Sequence, residues 1–120
     1  MQDFRNVEAW VKAHELVLRI YRETGAMPHE EAFGITFQLR RSAIAIATRI
    51  AEGCGRENNI DFANDLRRAI ASCNELEYLV LLARDLQLWS AELSDELIAN
   101  TIQTRKIDVR LFAKAVIISP

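Results

Sequence analysis

Only four glycines and two prolines interrupt this chain of 120 residues. So few breakers cannot supply the many tight turns of an all-β fold. They do leave room for long helices, and the apolar residues recur at helical spacing. Val7, Trp10, Ala13, Leu16 or Val17, and Ile20 step by three and four, the mark of one helical face. Asp3 or Asn6 is placed to cap this first helix, which the spacing carries to about Thr24. Gly25 and Pro28 then end it.

The stretch around Ala43–Ala47, "AIAIA", alternates like a strand. It nevertheless lies inside a longer helical period. Ile35, Leu39, Ala43, Ile46 and Ile50 make one stripe, with Phe37, Ile44, Ala47 and Ala51 in a second beside it. Alanine is also the best helix former. A second helix is therefore expected from near His29–Glu31 to the Gly53–Gly55 break. Asn58 or Asn59 is placed to cap a third, with Asp61 as the acid of a capping box. Its stripe runs through Phe62, Leu66, Ala69 or Ile70, Cys73, Leu76, Val80, Ala83 and Leu86, ending near Leu88. Ser90 or Ser94 would cap the last helix, where Ile98, Ile102, Val109, Phe112 and Val116 lie near heptad spacing.

Four helices with short connections predict an all-α, up-down-up-down antiparallel four-helix bundle, with residues 1–120 as one domain. Half of the residues are hydrophobic but only 8% aromatic, so the core must be aliphatic. One segment exceeds what a lone bundle needs. Tyr78 to Ala83, "YLVLLA", is apolar at every position, and a helix apolar all round is buried on more than one side. Leu79, Val80 and Leu82 are accordingly expected at a subunit interface of a homo-oligomer. The alternative is an unusually wide core stripe.

Charge and chemistry constrain function less. Fifteen basic residues face seventeen acidic ones, a net charge of −2, which does not announce a nucleic-acid binder. The distribution is uneven. Residues 40–68 hold six arginines, Arg40, Arg41, Arg49, Arg56, Arg67 and Arg68, against Glu52, Glu57, Asp61 and Asp65. Arginine suits phosphate, and equally suits buried carboxylates. Glu52 and Arg56 bracket the glycine turn and are placed to close it as a pair. Any one of these arginines can equally sit in a solvated ion pair; Arg40, Arg49, Arg67 and Arg68 are the ones expected to face a ligand.

No enzyme is expected. The two histidines and two cysteines, His14, His29, Cys54 and Cys73, lack the close pair spacings of zinc sites. There is no phosphate loop and no nucleophile elbow, so neither metal nor cofactor is expected. Arg22 and His29 match the two-residue motif of an all-helical ribonuclease family, but Gly25 and Pro28 lie between them. The sequence carries no signal-peptide pattern and no apolar run of the ~18 residues that span a membrane. A cytoplasmic location without membrane contact is expected.

The stretches "FGITFQLRRSAIAIATRIAEGCGR" and "NELEYLVLLARDLQLW" resemble a family of small four-helix bundles. It includes proteins encoded in intervening sequences of large-subunit ribosomal RNA genes and the accessory protein of diversity-generating retroelements. The resembling steps are Gln38–Arg41, Ile50–Ala51–Glu52–Gly53, Gly55–Arg56 and Ser72–Glu75–Leu76. On these steps Gln38, Arg41, Glu52, Gly53, Arg56, Ser72 and Glu75 are expected to fix the fold or assembly. The resemblance implies a ring-like homo-oligomer of five bundles. It further implies RNA or DNA, as the ligand of Arg40, Arg49, Arg67 and Arg68, and a reverse transcriptase or other protein, as partners. The chain departs from the family where Ala47–Thr48–Arg49 replaces a usual Pro-Ser-Asn. Three readings remain: a non-enzymatic accessory or scaffold protein binding structured nucleic acid, a protein–protein assembly module with its arginines in structural ion pairs, and, weakest, a ribonuclease using Arg22 and His29.

Overall fold

The computed structural model describes residues 1–31 and 33–118, with the side chain of residue 118 left aside. Four helices make up the fold: α1 (Glu8–Thr24), α2 (Ile35–Cys54), α3 (Asn59–Asp85) and α4 (Ala91–Ile118). Two single 3₁₀ turns, Phe4–Asn6 and His29–Glu31, precede α1 and α2. No strand occurs among the described residues. At ~1.5 Å per residue the longer helices span roughly 40 Å, most of the 49 Å length of a molecule only 21 × 20 Å across. Connections this short between helices this long force consecutive helices to run antiparallel. α2 packs on α1 and α3, and α4 packs on α3 and α1, so each helix neighbours the next in sequence and α4 closes on α1.

The helix ends follow local chemistry. Asn58 caps α3: its Oδ1 accepts the Asp61 amide at 2.9 Å, and its Nδ2 donates to the Asp61 carboxylate at 3.1 Å. Ser90 caps α4 by accepting the Leu93 amide at 3.0 Å. Ser94 is instead fully buried in the core. Asp3 caps the first 3₁₀ turn, not α1, which starts after Val7 without a side-chain cap. The second helix does not begin at His29–Glu31; a 3₁₀ turn occupies those residues, and α2 starts beyond Gly34. α3 ends at Asp85, and Gln87 turns the chain at φ 62°. The amides of Gln87 and Leu88 reach the carbonyls of Arg84 and Ala83 at 2.8 and 2.9 Å. This is a Schellman closure with glutamine where glycine is usual.

The core is aliphatic and continuous, from Ala13, Leu16 and Ile20 through Leu39, Ile46 and Ile50 to Leu66, Leu76, Val80 and Leu97. α4 differs from its predicted stripe. Its buried face is Leu97, Thr101, Thr104, Asp108 and Ala115, one residue away from Ile98, Ile102, Val109, Phe112 and Val116. The threonines bury cheaply because Thr101 donates to the Leu97 carbonyl at 2.7 Å and Thr104 to the Asn100 carbonyl at 2.9 Å. α4 therefore carries two stripes: a polar-spiked one facing inward, and an aliphatic one left partly exposed.

Candidate nucleic-acid interface

The turn between α2 and α3 is built on a close helix approach. A Cβ at Gly53 would lie 2.7 Å from the Phe62 ring and 3.2 Å from Asp65 Cβ. Glycine here is demanded by packing, since it lies within helix α2. That approach buries Asp65 to 1% exposure. Arg56 Nε donates to one carboxylate oxygen at 2.8 Å, and Arg68 to the other at 3.1 Å. The Asp65 carboxylate in turn holds the Arg56 guanidinium above its ordinary value, through the hydrogen bond first and its charge second. The turn is thus closed by Arg56 and Asp65, and Glu52 pairs with Arg49 at 3.5 Å. The expected Glu52–Arg56 pair does not form. Asp65 is not among the residues singled out from the sequence; the signal that could have found it is its place three residues after Phe62 and four before Ala69, on the apolar face.

The other arginines divide by partner. Arg40 on α2 lies over the Tyr21 ring of α1 at 4.4 Å, and its Nε donates to Thr24 Oγ1 at 2.9 Å. Arg67 lies over the Phe112 ring at 5.3 Å. Arg41 is exposed. Arg40, Arg41 and Arg67 have no carboxylate partner among the described residues. Of the four expected nucleic-acid-facing residues, Arg40 and Arg67 thus keep uncompensated charge. Arg49 and Arg68 spend theirs on Glu52 and Asp65.

The remaining expected residues are less coherent as a site. Gln38 and Glu75 are exposed. Ser72 contributes its backbone carbonyl, which accepts from Ser42 Oγ at 3.1 Å across α2 and α3. The α3–α4 ion pair uses Glu77, whose carboxylate meets Arg105 together with Asn74 at 2.8 Å. Leu79 and Val80 are buried inside the single chain and Leu82 is half-buried, so Val80 and Leu79 belong to the bundle core and offer no outward face. An apolar stripe also shows on α4, where Val109 is 45% and Val116 49% exposed beside half-buried Ile98, Ile102 and Phe112.

No metal cluster occurs among the described residues, and no described helix is long and apolar enough to cross a membrane. Both thiols are free and buried. Burial pushes each thiol up from its ordinary value. Arg22 turns to Glu23 at 3.7 Å, while His29 is exposed in its 3₁₀ turn. Deep between α3 and α4, the Cys73 thiol approaches Asp108 Oδ2 at 3.6 Å.

The model of the 23S rRNA-intervening sequence protein family matches residues 5–108. The chain belongs to that family. The match spans all of α1 to α3 and most of α4, including the Gly53–Asp65–Arg56 closure. Among solved structures it resembles a Bacteroides thetaiotaomicron protein of the S23 ribosomal protein family, described as of unknown function. The TM-score is 0.80 at 23% identity, over 87% of this chain and 97% of that one, a likeness that shows the bundle fold. No match was found among curated proteins. For this family member, the resembling step through Gly53 and Arg56 has a physical reading: it seats α3 against α2 and neutralises Asp65.

Proposed function

We propose that the chain is a non-enzymatic accessory or scaffold protein that assembles as a homo-oligomer and binds structured nucleic acid through arginines of α2 and α3. The observation that carries this reading is the absence of carboxylate partners for Arg40, Arg41 and Arg67 among the described residues, in a chain of net charge −2. Cations left unpaired where acids outnumber bases are available to phosphate. The outward stripe of α4, at heptad spacing, supports self-association. A ring of five copies, as the family resemblance suggests, would multiply the basic zone fivefold. Local fields rather than net charge steer anions.

The test is a salt titration of binding to a structured RNA hairpin. The wild type should bind at ~50 mM salt. The Arg41→Ala/Arg67→Ala double variant should bind more weakly, with its log–log salt slope flattened by about 0.9 per lost phosphate contact. Absence of binding at that salt would sink the proposal. A second reading, an assembly module with a protein partner such as a reverse transcriptase, is favoured by one observation. Arg49, Arg56 and Arg68 already hold carboxylates of this chain. Light scattering separates self-association from both: Val109→Lys/Val116→Lys should give smaller species.

A further inference from the structure

The depression between α1 and α2 combines two features that duplex binding does not require. It is lined by Tyr21, Thr36, Phe37, Arg40, Arg41 and Ile44, and holds about 400 Å³. Phe37 is 51% and Tyr21 42% exposed. Large aromatic rings left half in water cost apolar surface, and here two of them stand beside two arginines. No acidic side chain lines the depression. Arg40 is also held in place: its guanidinium lies on the Tyr21 ring at 4.4 Å, with Nε fixed by Thr24 and Nη2 reaching the Tyr21 carbonyl at 3.4 Å.

We infer that this depression binds unpaired nucleotides of single-stranded RNA or DNA. Bases would stack on Phe37 and on the Tyr21–Arg40 platform, and Arg41 would meet the backbone phosphate. This rests on the nucleic-acid reading above and narrows it. The faces of paired bases are hidden in the duplex stack, so an aromatic platform can be used only by unpaired ones. Planar guanidinium held on a ring is itself a stacking surface. A second copy of the chain is the other candidate occupant. A two-fold contact through this patch would set Arg40 and Arg41 against the same residues of the partner, a like-charge arrangement that disfavours it; a head-to-tail ring contact would set the patch against a different face of the next copy, a case that the oligomeric state of Phe37→Ala distinguishes. A polyanion with exposed aromatic bases matches both the charge and the rings.

The experiment measures fluorescence anisotropy of a labelled oligouridylate of about ten nucleotides, against an RNA duplex of matched length, with the full chain. The wild type should prefer the single strand. Phe37→Ala, at an exposed position, should keep the helical circular dichroism and weaken single-strand binding roughly ten-fold or more, as loss of one stacked base does. Its salt slope should stay unchanged, because no charge is removed. Arg41→Ala should instead lower that slope by about 0.7. Hairpin and oligouridylate binding both absent would end the broader reading and this one together. Wild-type binding that Phe37→Ala leaves untouched would overturn the stacking site alone. So would Phe37→Ala breaking the oligomer while single-strand affinity per chain stays intact, which would give the patch to a second copy.

Discussion

Two carboxylates are buried in this bundle to almost the same degree, and their surroundings are opposite. Asp65, on α3, is met by guanidinium groups on both oxygens, at 2.8 and 3.1 Å. Asp108, on α4, is 0% exposed. Among the described residues its Oδ2 has only the Cys73 thiol, and its Oδ1 has no hydrogen-bond partner. Burial accordingly pushes the Asp108 carboxyl up to about 7, with the thiol's hydrogen bond pulling weakly the other way. The difference is one of position. Asp65 lies near the end of the bundle, where the long stems of Arg56 and Arg68 reach in while their heads stay in water. Asp108 lies further along α4, packed against α3. The charged groups that act on its thiol partner, Glu77 and Arg105, are paired with each other. Equal burial thus costs little where arginine can snorkel and much where only a thiol is at hand.

The largest expected effect comes from removing the arginines. The Arg56→Ala/Arg68→Ala variant leaves the Asp65 carboxylate buried and unpaired. Breaking a buried pair costs about 3–5 kcal/mol. Because both guanidiniums are about half exposed and screened by water, the low end, about 3 kcal/mol, is expected. Urea unfolding should show the midpoint fall with the m-value unchanged. Adding Asp65→Asn should recover part of the loss. A loss below about 0.5 kcal/mol, the level of ordinary surface substitutions, would show that Asp65 is compensated by something other than these two residues.

Asp108 predicts a pH dependence of the opposite kind from most acid denaturation. Its carboxyl titrates near 3.8 in the unfolded chain and near about 7 in the folded one. Between those values the folded state binds a proton that the unfolded state does not, so stability falls as pH rises. The contribution is full below about pH 4 and lost above about pH 7. At 1.36 kcal/mol per unit, stability should drop on the order of 2–3 kcal/mol from pH 5 to pH 8. The groups facing Asp108 and its thiol partner are Cys73, Glu77 and Arg105. Asp108→Asn should flatten the profile over that window. A wild-type profile that rises from pH 5 to pH 8 would place Asp108 with Asp65 as a compensated carboxylate.

Which of these features could be read before the fold was known depends on how each residue signals. Four helices were legible because aliphatic residues at three- and four-residue steps, from Leu16 to Ala83, coincide with the buried face. α4 misled by one residue because burial there goes to Thr101, Thr104 and Asp108, which look polar on paper; the two threonines become cheap only through carbonyls one turn back, and Asp108 has, among the described residues, only the Cys73 thiol. The turn before α4 was blurred because a glutamine, not a glycine, takes the left-handed position. Arg56 was legible as a turn-closing residue, but its partner was not. Glu52 is close in sequence, whereas Asp65 reaches it only because Gly53 lets α3 come so near. Of the residues expected at an interface on α3, Leu79 and Val80 are already buried within the single chain, which the sequence did not show because their surroundings depend on elements distant in sequence such as Trp89, whose Nε1 donates to the Val80 carbonyl at 3.1 Å.

The smallest expected effect sharpens the contrast most. Cys73→Ala removes the one side chain among the described residues that donates to Asp108. Two consequences should separate cleanly. The lost sulfur leaves a small cavity between α3 and α4, and large-to-small core changes of this size cost about 1 kcal/mol; that loss should be the same at every pH. The lost hydrogen bond acts only on the ionised carboxylate, which the thiol favours. Its removal should move the Asp108 midpoint further above about 7, so the pH-dependent fall in stability extends to higher pH. Carboxyl carbon chemical shifts of Asp108, followed through a titration, read this directly. A midpoint that falls instead would mean that water enters the vacated space and solvates the carboxylate. Asp108 would then acquire by hydration what Asp65 has from its arginines, and burial without a donor would cease to distinguish them.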